Sequence, residues 1–291
     1  MDAPGRVLDV YRQRESFGAE ADLECALALL SAARSGNFGP ALRIYRPRPT
    51  VAFGQRDARL PGFPAAAAAC REQGFEPLVR KAGGRAAAYH GGCLILDHIE
   101  PEPNAVARSL ARFAGFAELL AGALQDAGVP AGVGEIPGEY CPGEYSVHGG
   151  AGAGTSLGNS DGTGAGARDS AGPGVGDSAG ASLGIKPIKL VGTAQRVVSG
   201  AWLFSSVVVV QDAEPLRRVL TSVYAALGLD WDPATAGAAE DLLPGLTVDD
   251  AEAALLAGYR RYAQLRQGAP DRLLEIFAGT DPLLPSTAQA N

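Results

Sequence analysis

Three short segments hold the residues whose chemistry stands out. Residues 80–93, RKAGGRAAAYHGGC, set paired glycines among cationic side chains. Glycines allow a ligand to approach the backbone closely and leave amide donors free, and Arg80, Lys81 and Arg85 add positive charge. Gly83 and Gly84 therefore suit an anionic or carbonyl-bearing ligand, with an ordinary hairpin turn as the competing reading. Residues 138–147, GEYCPGEYSV, carry Cys141 in a Pro-Gly turn among polar and aromatic residues. A thiol there can be reached and can attack an electrophile, whereas an unremarkable loop thiol is the alternative. Residues 186–196, KPIKLVGTAQR, place Lys189 on a short apolar strand. An ammonium is costly there unless it has a partner or a ligand. Beside a thiol it favours the thiolate, and it can polarise an acyl carbonyl or exchange a proton. A strand-edge lysine whose head reaches water is the other reading.

The remaining reactive side chains form no such constellation. His90, His98 and His148 lack carboxylate partners at ligand spacing, so no metal set is expected. His148 opens a glycine-rich stretch and makes a poor base for Cys141, and Asp97 with His98 reads as turn chemistry at a strand end. Cys25, Cys70 and Cys93 lie in apolar contexts typical of packed thiols, and the four cysteines fit neither a zinc knuckle nor a CxxC pair.

These residues need a scaffold to bring them together. Apolar spacing predicts helices over 21–33, 64–73, 104–127, 215–227, 248–267 and 271–277. Within 104–127, Leu110, Phe113, Phe116, Leu120 and Leu124 are the expected core positions. Strands are expected over 42–45, 50–53, 76–80, 188–191 and 201–210, with an extended run over 86–97. Residues 149–184 are almost devoid of large apolar side chains and have no period. They read as a mobile insert, with no strand before it and no phosphate-binding motif. Strands and helices without regular βαβ alternation give an α+β class. The expected organisation is a catalytic domain over 1–212, interrupted by the insert, and a helical segment over 213–291.

With 291 residues, 46% of them hydrophobic, the chain can bury a substantial core. A net charge of -7 and a pI near 5.1 argue against a nucleic-acid partner held by phosphate contacts. No apolar run approaches the roughly 20 residues of a membrane helix, and the start, MDAPGRVLDVYRQRE, lacks the apolar stretch of a signal peptide. A cytoplasmic protein without membrane attachment is expected.

Taken in order, the segments resemble the biotin/lipoate protein ligase and acyltransferase family. Residues 80–96 resemble its Arg, Gly-Gly and Tyr-His-Gly signature, and residues 189–196 its Lys-x-x-Gly-x-x-Gln-Arg signature. Cys141-Pro142-Gly143-Glu144-Tyr145 is most similar to the Cys-Pro-Gly-x-Tyr segment of the family's N-octanoyltransferase branch, where the cysteine carries the acyl group as a thioester. The likeness runs over roughly residues 20–212. It implies a mixed-sheet catalytic domain flanked by helices, with Cys141 as nucleophile and Lys189 orienting and polarising the carbonyl. Arg80, Gly83, Gly84, Tyr89, His90 and Gly192 would bind substrate. The implied partners are an acylated carrier protein as donor and a lipoyl-domain protein as acceptor, and no cofactor is implied. An ATP-dependent lipoate ligase, using ATP and magnesium, is the alternative on the same fold. It fits less well, because ligases carry a third glycine near Arg85 and Ala86 and an acidic residue where Gly91 stands. A scaffold that binds acyl proteins without turnover would need neither Cys141 nor Lys189.

Overall fold

Alternating side chains on three paired strands decide where the layers of this molecule lie. The structure, a computed structural model, describes residues 5–150 and 186–279. In chain order its elements are β1 (Val7–Gln13), α1 (Ala19–Arg34), β2 (Ala41–Tyr45), β3 (Thr50–Phe53), α2 (Phe63–Glu72), β4 (Glu76–Val79), β5 (Ala87–Tyr89), β6 (Cys93–Glu102) and α3 (Ser109–Asp126). They continue with β7 (Ala131–Val133), β8 (Val147–Gly149), β9 (Ile188–Val198), β10 (Gly200–Val209), α4 (Ala213–Leu227), α5 (Val248–Tyr262), β11 (Gln264–Gln267) and α6 (Pro270–Ala278). An eight-stranded mixed sheet runs β11-β1-β2-β6-β10-β9-β8-β7, and a three-stranded sheet runs β4-β3-β5. The class is α+β, with mixed sheets flanked by helices.

On one face of the large sheet, Leu42 and Ile44 of β2, Leu94 and Leu96 of β6, and Trp202, Phe204 and Val208 of β10 join the buried faces of α3 and α5 in one core. The opposite face is shared by two other clusters. Ile99, Ala201 and Leu203 pack under α1 and α6, while Tyr45, Ile95 and Val209 pack with the small sheet, α2 and α4. Between these clusters the alternation brings up polar residues instead. Arg43, Asp97 and Ser205 stand side by side in register across β2, β6 and β10. Arg43 is fully buried and bonds Asp22 at 2.7 Å and Asp97 at 3.0 Å, while Ser205 Oγ donates to Asp97 at 2.6 Å. Removing one partner from such a buried group costs on the order of 3–5 kcal/mol.

Several elements differ from the sequence reading, each for a physical reason. The N-terminal strand β1 was not expected; it is held by parallel neighbours β2 and β11. The run over 86–97 divides at Gly91 and Gly92 into β5 and β6, which belong to different sheets. Asp97 and His98 are thus not at a strand end but buried within β6. The helix expected to reach residue 267 stops at Tyr262, where Ala263 turns extended and the chain pairs with β1 as β11. Leu110 is not core: it is 71% exposed on the first turn of α3. A strand, β8, does precede the glycine-rich insert; from residue 151 to 184 that insert lies outside the described residues. No helix among the described residues is long and apolar enough to cross a membrane.

Candidate active site

The seam between the two smaller clusters opens into a cavity of about 700 Å³. Its floor is the sheet face carrying Ile95, Leu203 and Val207, with the polar row at Asp97 and Ser205, and Leu23 and Leu27 of α1 form one wall. Beyond its first residue, Gly200, β10 is half-buried only at Ser205 and Val207, because their side chains face this space. A mostly apolar cavity of this size with a few converging polar groups is the usual form of a small-ligand site.

Cys141 borders the cavity, half-buried, at the tip of the 138–146 loop. Its φ of 44° lies in the left-handed region, which costs a non-glycine residue on the order of 1–3 kcal/mol and persists only when neighbours enforce it. The neighbours can be named. The Cys141 amide donates to Tyr224 Oη at 2.7 Å, and that hydroxyl donates to Ala86 O at 3.0 Å. Lys189 Nζ donates to Cys141 O at 2.8 Å and to Tyr140 O at 3.0 Å. Two donors converge on the sulfur: the Arg85 amide at 3.2 Å and Arg80 Nη2 at 3.7 Å. The other three thiols are sealed in the core, where burial pushes Cys25 up to about 11 and Cys70 and Cys93 up to about 12.

The glycine turn is shaped around this sulfur. Gly84 has φ 99°, and a Cβ there would stand 2.5 Å from Arg80 Nη2 and 2.9 Å from Cys141 Sγ. Arg80 staples the turn from inside, donating to Gly83 O at 3.1 Å and Arg85 O at 2.8 Å. Arg85 in turn pairs with the buried Asp57 at 2.9 Å. Gly54 lies underneath, where a Cβ would fall 1.9 Å from Gly84 O.

Lys189, at the start of β9, is 2% exposed. The sequence pointed to the need for a partner; the partner is Glu139, whose Oε2 lies 3.4 Å from Nζ. Glu139 and Tyr224 were both missed. A carboxylate near Cys141 was the available signal, but Glu139 and Glu144 satisfy it equally, and only Glu139 is buried. Nothing in the local sequence points to Tyr224, 83 residues from Cys141.

The structure brings Arg80, Gly83, Gly84, Tyr89, Cys141, Lys189 and Gly192 to one cavity. A Cβ on Gly192 would make ordinary contact with Lys189 Cε at 3.7 Å, so the protein itself does not demand glycine there. His90 is not among the cavity-lining residues. Its Nδ1 accepts from the Gly92 amide at 2.9 Å and its Nε2 lies 2.8 Å from Asp212 O, so the ring shapes the turn between β5 and β6.

Comparison with known proteins gives a consistent picture. The lipoyl protein ligase A/B catalytic domain profile matches residues 20–260. The chain is 32% identical over 153 residues to the octanoyl-[GcvH]:protein N-octanoyltransferase of Anoxybacillus flavithermus, covering 52% of this chain and 55% of that protein. It is 33% identical over 143 residues to the protein of the same name from Geobacillus kaustophilus, covering 49% and 50%. The chain thus spans about half the length of the curated relatives it matches. Among solved structures, lipoate-protein ligase A bound with ATP superposes with a TM-score of 0.64 at 15% identity, covering 93% of this chain and 92% of that one. The bipartite lipoate protein ligase with its E2 lipoyl domain from Thermoplasma acidophilum gives 0.58 at 17% identity, covering 94% and 91%. At these identities the structural likeness concerns the fold.

Proposed function

The chain belongs to the lipoyl protein ligase A/B catalytic domain family, and from that membership we propose that it moves an octanoyl or lipoyl group between carrier proteins through a thioester on Cys141. The observation that carries this reading is Cys141 itself, a half-buried thiol on a left-handed backbone at the edge of a largely apolar cavity, with two donors on its sulfur. The names of the curated relatives, octanoyl-[GcvH]:protein N-octanoyltransferase, support a GcvH-type protein as one partner, and we infer a lipoyl-domain protein as the other.

In the first half-reaction the sulfur attacks the acyl carbonyl of the acylated carrier. The C–S bond forms and the bond from the carbonyl carbon to the carrier's lysine nitrogen breaks. That amine leaves with a proton handed over by the Lys189 ammonium, which regains the one given up by the thiol and so is a cation before and after the step. In the second, a lysine amine of the acceptor attacks the thioester, the C–S bond breaks, and the amine's proton returns to sulfur. Charge on sulfur is stabilised by the Arg85 amide and the Arg80 guanidinium, and charge on the carbonyl oxygen by Lys189. Gly83 and Gly84 let the carbonyl approach the backbone, with Tyr89 and Gly192 lining its surroundings. The acyl tail lies over the apolar floor, where each buried methylene contributes about 0.8 kcal/mol.

Both half-reactions balance without ATP, whereas a ligase acting through an acyl-adenylate consumes it. Transfer from an octanoylated carrier to an apo lipoyl domain is therefore expected to be equal with and without ATP and magnesium. Lys189→Ala is expected to slow it by about a hundredfold or more. Use of free octanoate or lipoate that depends on ATP and magnesium and survives Cys141→Ala would replace this reading by the ligase.

A further inference from the structure

The 138–146 loop is tied together by a group that no step above uses. Glu139 Oε1 accepts from the Gly143 amide at 3.0 Å and from Ser146 Oγ at 2.7 Å, both across the turn that carries Cys141. Its Oε2 makes no hydrogen bond among the described residues and lies 3.4 Å from Lys189 Nζ, with both residues 2% exposed. Lys189 meanwhile donates to two successive carbonyls, those of Tyr140 and Cys141. One buried cation thus holds the backbone on either side of the strained residue. Two neutral carbonyls do not repay the desolvation of an ammonium; a carboxylate does much more.

We propose that Glu139 is a positioning residue that acts through Lys189: it keeps that side chain in place as a buried cation, so that Lys189 clamps the Cys141 backbone in the free enzyme and can re-aim one N–H hydrogen bond from a backbone carbonyl to the substrate oxygen during attack. The proposal rests on the reading of Cys141 as the acyl-carrying nucleophile. Among the described residues, Glu139 is the one carboxylate within ion-pair distance of Lys189. The other titratable groups around the lysine are Cys141, Tyr140 with its ring centre 5.0 Å from Nζ, and His148 across the β8–β9 pair. Burial keeps the His148 imidazole below its ordinary range, toward the neutral form, so it adds no second positive charge beside the lysine. Burial also pushes the Glu139 carboxyl upward, and Lys189, Ser146 and the Gly143 amide pull it back.

The test is single-turnover acylation of Cys141 by an octanoylated carrier protein, followed by intact mass. Glu139→Gln keeps an acceptor for Gly143 and Ser146 but removes the charge, and should slow acylation by about tenfold or more with little change in the carrier concentration needed for half-maximal rate. Burial raises the Glu139 carboxyl, so at low pH the wild type itself approaches the neutral pair, and the ratio of variant to wild-type rate should fall as pH is raised from about 5 to about 9. A merely structural role would lower the rate by a pH-independent factor. Because Glu139→Gln alone can compromise folding, the doubly neutral Glu139→Gln/Lys189→Gln is also compared with Lys189→Gln. The two should agree within about twofold. A ratio near one at every pH, a pH-independent loss, or a further tenfold loss in the double variant overturns the proposal. A wild-type chain that takes up no acyl mass removes the underlying reading, and this proposal with it.

Discussion

The strain at Cys141 and the fit of Gly84 against it are two sides of one contact. A methyl group at Gly84 would stand inside van der Waals distance of both the sulfur and the Arg80 guanidinium, on a backbone whose φ of 99° disfavours any side chain. Among the described residues, a Cβ at Gly83 would meet nothing within 4 Å. Gly84→Ala is therefore expected to cost about 1–3 kcal/mol and to lower the melting temperature clearly, while Gly83→Ala shifts it by much less. Equal shifts for the two would show that the turn is not built around the thiol. Cys141 and Lys189 were legible in the sequence because each sits where its residue type is out of place, a thiol in a Pro-Gly turn and a lysine in an apolar strand. Glu139 was not, because burial is a property of the folded loop, and its neighbour Glu144 has the same chemistry in solvent.

At the scale of elements, most strands and helices announced themselves by period, and the exceptions trace to how they are buried. The far half of β9 is half-exposed along its length, and residues 192–196 line the cavity, so its polar side chains hid a strand whose first four residues alone were apparent. The short strands β7, β8 and β11 have too few residues for a period to show. The β8–β9 pairing also bears on the insert. Gly149 stands opposite Ile188, so the chain leaves and returns at the end of one antiparallel pair. Loop length adds only logarithmically to the closure cost. Replacing residues 151–182 by a short Gly-Asn turn should thus leave the melting temperature within a few degrees and preserve most transfer activity. A collapse of turnover at unchanged melting temperature would assign that segment a role in the reaction. Helix α4 contributes in a way no local reading could supply, since Tyr224 secures the Cys141 amide from a distant part of the chain.

For the whole molecule, the large sheet separates two kinds of polar burial: the cavity on one face and, on the other, His98 packed among Phe116, Trp202, Tyr259 and Tyr262. Nε2 of His98 lies 2.9 Å from Glu100, which also accepts from Tyr262 at 2.7 Å. Burial holds the His98 imidazole below its ordinary value, with Glu100 pulling the other way. Burial alone would raise Glu100, but His98, Tyr262 and Arg6 outweigh it and hold it low. For both groups the unfolded chain binds more protons, so their stabilising contribution is present above the unfolded values and is lost as pH falls, beginning near 6.5 for His98. Asp97 and Glu139, lifted by burial, act in the opposite sense in the carboxylate range. The informative quantity is therefore the difference in melting temperature between wild type and His98→Gln, which should shrink as pH is lowered from about 7 to about 5. A constant difference would mean that His98 does not titrate with folding. The central claim remains the acyl-enzyme, and intact mass after mixing with an octanoylated carrier protein, without acceptor, tests it most directly. The wild-type chain should gain one octanoyl mass, mapped to Cys141 and released by hydroxylamine, and Cys141→Ala should gain none; the same adduct on Cys141→Ala, or none on the wild type, would contradict it.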